Sequence, residues 1–480
     1  MTEYEPTIGI EAHAQLLTTS KMFCSCSAEY ASAPPNSLVC PVCLGMPGSL
    51  PVINQRAVEY AIMTGLALHC QIAEFSKFDR KNYNYPDLVK GYQISQYDLP
   101  ICYHGWAEIE VGEQTKRIGI QRVHLEEDTG KLIHMRGSSL IDFNRSGVPL
   151  IEIVTAPDFC TVEEVREYAV NLRRVLRYLG VSSGNMEEGA LRIEVNVSLH
   201  PAGSQTQGTL VELKNLNSFR AVWRSLEYEI KRQEQVLRGG GSVRRETRGW
   251  DDAKEVTFPQ RSKEQADDYR YFPEPDLPPL EVAREWVERI RGGMPELPDA
   301  RRRRFSAEYE LSAYDAGLLT DERAVADYYE QAVALARGTG ISPKAIANWV
   351  IGELFHLLHA QGMEITAIKV TPEQLAELVA LVNENTITAA TARHVLAVMS
   401  NTGKAARDVV AEEKLAQIAH QDSLAPFVDA VITSNPSAVA QYRAGKKAVL
   451  RFLIGQVMHA TQGKADPNLA AEALRKRLVD

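Results

Sequence analysis

Leu191-Arg-Ile-Glu-Val-Asn-Val-Ser-Leu199 alternates without a break. Leu191, Ile193, Val195, Val197 and Leu199 point one way, while Arg192, Glu194, Asn196 and Ser198 point the other. Successive side chains of a strand take opposite sides, so one face of this segment meets a core and the other a polar surface. Thr7 to Leu16 alternates in the same manner and sets Glu11 and His13 on one face. Both segments lie in a region that reads as strand-rich and runs to about Gly292.

Two helices interrupt those strands. One spans about Val162 to Leu179, with Thr161 and Glu164 spaced as a capping box and Gly180 as its stop. The other spans about Phe219 to Arg238 and stops at Gly239-Gly-Gly241. A break at Gly292, Gly293, Pro295 and Pro298 then changes the pattern to helix until the end. Thr371–Pro372 signals a helix start, and Leu375, Leu378, Val379 and Val382 recur at helical spacing. A softer boundary at Asn401 to Gly403 precedes a small helical module, with helices opening at Asn435–Pro436 and Asp466–Pro467. The expected organisation is α+β, with a strand-rich domain over 1–292, an all-α domain over 293–402 and a small α-helical tail over 403–480.

With 480 residues the chain is long enough for roughly three domains. No stretch approaches the ~20 apolar residues of a membrane span, and the polar, acidic start lacks a leader's basic-then-apolar build. A cytosolic location is expected. The net charge of −9 argues against a non-specific nucleic-acid binder. A local basic surface escapes that argument, because phosphate fields reach only ~8–10 Å at physiological salt. Arg443, Lys446, Lys447, Arg451, Lys464, Arg475, Lys476 and Arg477 make such a surface in the tail; an ordinary solvated helix face would look the same.

Carboxylates recur in the strand-like segments. Arg122, His124 and Glu126 share a face at period two, and Glu127 and Asp128 follow at the turn Thr129–Gly130. Glu152 lies among Leu150, Ile151 and Ile153, where a carboxylate is costly unless paired or metal-bound. If the strands pair, Glu11, His13, Glu126, Glu127, Glu152 and Glu194 gather on one face, and an oxygen-liking cation such as Mg²⁺ is the expected neutraliser. Taken singly, each is also read as a solvated polar face or acidic turn. Asp79-Arg-Lys-Asn-Tyr83 and the run to Tyr92 mix cations with aromatics, which suits phosphate contact and base stacking, and equally an ordinary surface loop.

Cys24-x-Cys26 and Cys40-x-x-Cys43 form two close thiol pairs separated by a short loop, a spacing that suits a structural, tetrahedral Zn²⁺ site. The alternative is a chance cluster of buried thiols. No Walker-type phosphate loop is present, so an ATP site here is of another kind. Neither a serine nucleophile elbow nor the Gly/Ser-rich stretch of an amidase occurs.

Ile141-Asp-Phe-Asn-Arg-Ser-Gly-Val-Pro-Leu-Ile-Glu152 resembles, along its whole length, the signature of the amidotransferase B/E subunits, the GatB/GatE family. Asp79 to Tyr83, Gly91 to Gln96, Arg122 to Gly130, Glu212 to Ser218 and Asp268 to Asp276 resemble further motifs in the family's order, and the similarity runs through the tail. The resemblance implies a cradle-shaped catalytic domain, a helical domain and a tail that helps to read tRNA. It implies a two-step reaction on Glu-tRNA(Gln) or Asp-tRNA(Asn). ATP phosphorylates the side-chain carboxylate, and ammonia displaces the phosphate. Ammonia comes from an amidase-type partner (GatA), and a small third protein (GatC) wraps the pair. Carried over onto this sequence, Glu11, His13, Glu127 and Glu152 are first-choice Mg²⁺ ligands, with Glu126 and Glu194 next. Lys81, Tyr83, Arg192, Asn196 and Lys214 are assigned to the nucleotide or the acceptor end. The sequence departs from the family at Ala12 and Ala14, where branched residues are more usual, and its cysteine set belongs to only part of the family. A tRNA-binding subunit whose chemistry lies elsewhere is the alternative; such a module has no need of gathered carboxylates.

Overall fold

The first strand, Tyr4–Gln15, lies inside a 12-stranded sheet, hydrogen-bonded to Pro149–Thr155 on one side and Leu191–Pro201 on the other. The computed structural model describes residues 2–112, 114–204, 206–262, 269–416, 421–461 and 464–479. Asp268, the start of one motif noted above, lies outside the described residues. The chain forms two units, Met1–Leu297 and Pro298–Asp480.

In the first unit the sheet continues outward from the central three strands. Beyond Leu191–Pro201 come Val211–Lys214, Glu246–Asp251 and Val256–Ser262; beyond Pro149–Thr155 come Gln114–Glu127, Tyr92–Ser95, Asp79–Asn82 and Phe272–Pro273. The strands around the first one pair antiparallel, whereas Val211–Lys214 runs parallel to Glu246–Asp251. The pleat sorts the first strand as its alternation foretells. Ile8, Ile10, Ala12 and Ala14 are buried in one core with Val58 and Ile62 of the helix Gln55–Ala67, Val165 and Leu172 of Val162–Leu179, and Val222 and Leu226 of Phe219–Arg238. Glu11 and His13 take the opposite face.

Helix ends follow local chemistry. Thr161 caps the Val162–Leu179 helix by accepting the Glu164 N–H at 3.1 Å. The other half of the expected capping box is redirected: the Glu164 carboxylate accepts from the Cys160 N–H at 2.7 Å and from Lys116 at 2.9 Å. Gly180 ends the helix at φ 67°, a left-handed conformation that a Cβ would disfavour. Ser218 caps Phe219–Arg238, which stops at Gly239.

The second unit is helical throughout its described residues. Thr371 and Gln374 form a full capping box at the start of Pro372–Asn383. One core gathers Phe305, Tyr329, Leu354, Leu378 and Leu396; a separate one gathers Leu424, Val428, Leu453 and Leu474. Ala406, Val409 and Val410 pack in the former, so the boundary expected after 402 falls inside that core, and the helix Ala406–Glu412 belongs with the preceding helices. Gly403 merely turns the chain between two helices that share that core. Among the described residues no helix is long and apolar enough to cross a membrane.

Candidate active site and cysteine cluster

Register brings the polar side chains together. His124 pairs across the strands with Glu152, Glu152 with His13, and His13 with Arg192. Glu11 pairs with Glu194, and Asn196 pairs with Glu212 one strand further on. All of these but Asn196 line one cavity of roughly 550 Å³, with Glu126, Asp128, Lys81, Tyr83 and Lys214. A second cavity of roughly 510 Å³ shares Glu11 and includes Asn196 and Arg245.

Two carboxylate clusters emerge within this face. Ligand atoms of His13, Glu126 and Glu152 lie within 4.8 Å of one another, as do those of Glu11, Glu194 and Glu212. His124 Nε2 stands 3.3 Å from Glu126 and 3.2 Å from Glu152; His13 Nε2 stands 3.5 Å from Glu152. Burial pushes the His124 imidazole down, but the charges and hydrogen bonds of Glu152 and Glu126 outweigh it and hold the pKa at about 9. Burial opposes ionisation of Glu126 too, yet the Lys81 and His124 cations bring it to about 2. Glu152 is likewise held well below the usual carboxylate range, against its burial, by His124 and His13. Glu11 goes the other way: burial, then repulsion from Glu152, Glu194 and Glu212, raises its pKa. Asn196 donates to Glu11 at 2.9 Å, and Lys214 reaches Glu194 at 2.7 Å and Glu212 at 3.1 Å.

Of the residues expected at the nucleotide or acceptor end, Lys81, Tyr83, Arg192 and Lys214 line the first cavity and Asn196 the second. Arg192 reaches Asp128 at 3.1 Å. Arg80, beside Lys81, turns away to Glu274 at 2.7 Å and stacks on Tyr92.

Glu127 departs from the expected ligand set. It follows Glu126 on the same strand, so the pleat sends it to the opposite face. There its carboxylate pairs with Lys90 and accepts the Ile94 N–H at 3.0 Å. It lines a different cavity, beside Cys24 and Cys43, and is absent from both carboxylate clusters. Sequence reasoning leaves three kinds of site residue unassigned. The sequence places His124 only on a shared face with Glu126. Glu212 sits between Val211 and Leu213, and a carboxylate flanked by strand-formers is its available signal. Tyr97 and Tyr271 stack at 4.0 Å on the cavity rim, a pairing across 174 positions that no local pattern announces.

The four sulfurs of Cys24, Cys26, Cys40 and Cys43 lie within 4.8 Å of one another, so the cluster can hold a metal ion. The Cys43 thiol is pulled down to about 5, first by its hydrogen bond with Cys24, then, against burial, by the Cys40 N–H and the Lys21 charge. The loop between the thiol pairs is stitched to the start of the 141–152 signature. Asn36 N–H donates to Asp142 at 2.9 Å, Phe143 N–H to Asn36 at 2.8 Å, and Leu38 N–H to Asn144 at 2.8 Å.

In the tail, Arg443, Lys446, Lys447 and Arg451 are exposed, and Lys464 is half-buried. Arg443 Nε donates to the Leu478 carbonyl at 3.3 Å, and Arg477 is engaged by Asp429.

Fold and site define a multidomain α+β protein whose sheet unit carries a polar cavity lined by clustered carboxylates and cations. Residues 6–288 match the GatB/GatE catalytic domain and residues 327–478 the GatB domain. Similar full-length proteins are the aspartyl/glutamyl-tRNA(Asn/Gln) amidotransferase subunits B of Roseiflexus castenholzii, 54% identical over 99% of both chains, and of Carboxydothermus hydrogenoformans, 52% identical over 100% of both. The chain belongs to the GatB/GatE family.

Proposed function

We propose that this chain is the component of an ATP-dependent aminoacyl-tRNA amidotransferase in which the side-chain carboxylate of Glu-tRNA(Gln) or Asp-tRNA(Asn) is activated and amidated. Its relatives' name supports the reaction class. The observation that carries the reading is the convergence of Glu11, Glu126, Glu152, Glu194 and Glu212 on one cavity in two groups that could each hold a cation, where burial, and then repulsion from Glu152, Glu194 and Glu212, raises the Glu11 pKa. A carboxylate is a poor electrophile, and phosphorylation converts its oxygen into a leaving group that ammonia displaces. The donors are mostly oxygen, which fits Mg²⁺. His13, Glu126 and Glu152 would hold one ion and Glu11, Glu194 and Glu212 a second. Bound there, Mg²⁺ would offset charge on the transferring phosphoryl group.

The chain's own residues supply the rest. Lys81 has a raised pKa, since Glu126 and Glu152 outweigh its burial, so it stays cationic where phosphate oxygens enter. Lys214 is held cationic likewise by Glu194 and Glu212. The Tyr97–Tyr271 stack offers an aromatic rim for adenine or the terminal base of tRNA. The cysteine cluster suits a structural Zn²⁺, because four thiolates leave no open position. Ammonia arrives from the amidase partner GatA, with the small partner GatC completing a cytosolic heterotrimer, and the exposed tail cations approach tRNA phosphates.

The test is assembly of the chain with GatA and GatC and assay of both misacylated tRNAs with ATP, Mg²⁺ and glutamine. Amidation by the parent and its loss in Glu126→Gln, with tRNA binding retained, is the expected result. Undiminished amidation in Glu126→Gln would favour a tRNA-binding role and place the chemistry elsewhere.

A further inference from the structure

Lys21 is 0% exposed, yet no carboxylate forms an ion pair with it among the described residues. Its Nζ donates to the Leu38 carbonyl at 2.8 Å, to the Phe143 carbonyl at 3.4 Å and to Cys43 Sγ at 3.7 Å. Those acceptors match the hydrogens of an ammonium. The carbonyl dipoles replace water but bring no net charge, and an ammonium stripped of water requires a counter-charge. Glu127, which lines the same cavity, is already taken by Lys90 and the Ile94 N–H. Asp276, on the same cavity, pairs with Arg80, and Cys43 is the potential anion that Lys21 itself touches among the described residues.

Four thiolates around one divalent cation sum to two negative charges, and the nearest sulfur belongs to Cys43. We propose that Lys21 is the buried counter-charge of the metal-loaded cysteine cluster and ties it to the Asp142–Asn144 turn through the Phe143 carbonyl. The Gly147 backbone packs beside both Lys21 and Cys43. Met22 N–H donates to the Gly147 carbonyl at 2.7 Å, and Gly147 adopts φ +85° where a Cβ would stand 3.5 Å from Lys21 Cδ and 3.6 Å from Cys43 Cβ. The lysine is therefore a positioning residue for the metal. It acts through charge as well as packing, so arginine replaces it better than an uncharged side chain.

This inference rests on the cluster binding zinc. The experiment uses the full chain with its GatA and GatC partners, and the variants Lys21→Met and Lys21→Arg. Zinc per chain is measured by atomic emission, and zinc release is timed against a colorimetric chelator. In the cobalt-substituted protein the thiolate-to-metal charge-transfer band is recorded as well. The expected result is release about tenfold faster from Lys21→Met, with a displaced cobalt band, and recovery of both toward the parent in Lys21→Arg. Should Lys21→Met fail to fold, acylation of Lys21 in the parent decides: protection that disappears on chelation supports the link, and protection unchanged by chelation overturns it. A parent chain without metal would sink the zinc reading and this inference together. A parent with one zinc and a Lys21→Met variant that keeps the parent's release rate and band would sink this inference alone.

Discussion

Glu126 and Glu127 are consecutive in the chain and serve opposite faces of the sheet: Glu126 meets His124 at 3.3 Å and Ser95 Oγ at 2.8 Å, while Glu127 pairs with Lys90 beside the cysteine cluster. The two carboxylates are therefore separated in role by the pleat alone.

Their glutamine variants should fail in different ways. Glu126→Gln removes charge from the cation-ready face, and amidation should fall by at least about a hundredfold, the usual scale for loss of a transition-state charge stabiliser. It should also lower the melting temperature, because the buried Glu126 is held ionised by Lys81 and His124 and its loss leaves both cations short of an anion. Glu127→Gln leaves Lys90, whose side chain is 10% exposed, without its anion. Breaking a buried pair from one side costs about 3 kcal/mol or more, so this variant should melt several degrees lower. The double variant Glu127→Gln/Lys90→Met should recover part of that loss. Amidation assays beside calorimetry separate the cases; a Glu127→Gln variant that loses amidation as deeply as Glu126→Gln while keeping the parent's melting temperature would contradict the assignment.

Magnesium affinity should rise with pH. The His124 pKa, near 9 in the folded metal-free chain, exceeds the ordinary histidine value of about 6.5. The His124 proton thus stabilises the fold fully below about 6.5, and that contribution is lost as pH climbs through about 9. His13 is raised as well, with Glu152 and other carboxylates outweighing its burial. These protons occupy the charge environment that a cation needs, so binding expels them. Titration calorimetry between pH 7 and 9 should show tightening affinity and proton release to the buffer. His124→Gln should flatten the slope, and a parent profile already flat would rule the competition out.

Much of this arrangement is legible in the sequence, and the remainder has an identifiable cause. The unbroken alternation of 191–199 and of the first strand reveals both the strands and their polar faces. Helix termini at Thr161, Gly180 and Thr371 are written in capping chemistry, which acts within a few residues. Register is not written anywhere local. That Glu11 pairs with Glu194 and His13 with Glu152 depends on which strands meet, and that is decided by the shared core under Ile8, Ile10 and Leu172. Glu127 is misplaced when period two is followed through 122, 124 and 126 and then abandoned at the turn, because the strand continues through 127. Glu212 sits on a four-residue strand, too short to display a period.

Removing the metal proposed for the cysteine cluster should loosen a segment remote in sequence. Asn36 and Leu38 lie in the loop that the thiols close, and both are bonded to the 142–144 turn ahead of the strand that carries Glu152. Stripping zinc with a chelator should raise amide exchange at 36–38 and 142–144 together. The capped helix Pro372–Asn383, in the other unit, should keep its protection. Cys40→Ser/Cys43→Ser should reproduce the pattern and lose the metal. Faster exchange at 36–38 with 142–144 unchanged would show that the stitching carries no coupling.

The tail offers a test in which salt is the variable. Lys446 and Lys447 are exposed, adjacent, and make no ion pair among the described residues, unlike Arg477, which Asp429 engages. Cations that meet phosphates release counterions, each contributing about one unit to the slope of log affinity against log salt. Lys446→Ala/Lys447→Ala should therefore weaken tRNA binding and lower that slope by about two, equally for tRNA(Gln) and tRNA(Asn), because phosphate contacts carry no sequence information. Arg477→Ala, which gives up a cation already neutralised, should lower the slope less. Filter binding across a salt series measures both numbers. A double variant with the parent's slope would remove these lysines from the RNA surface, since a phosphate contact cannot be lost without its counterion term.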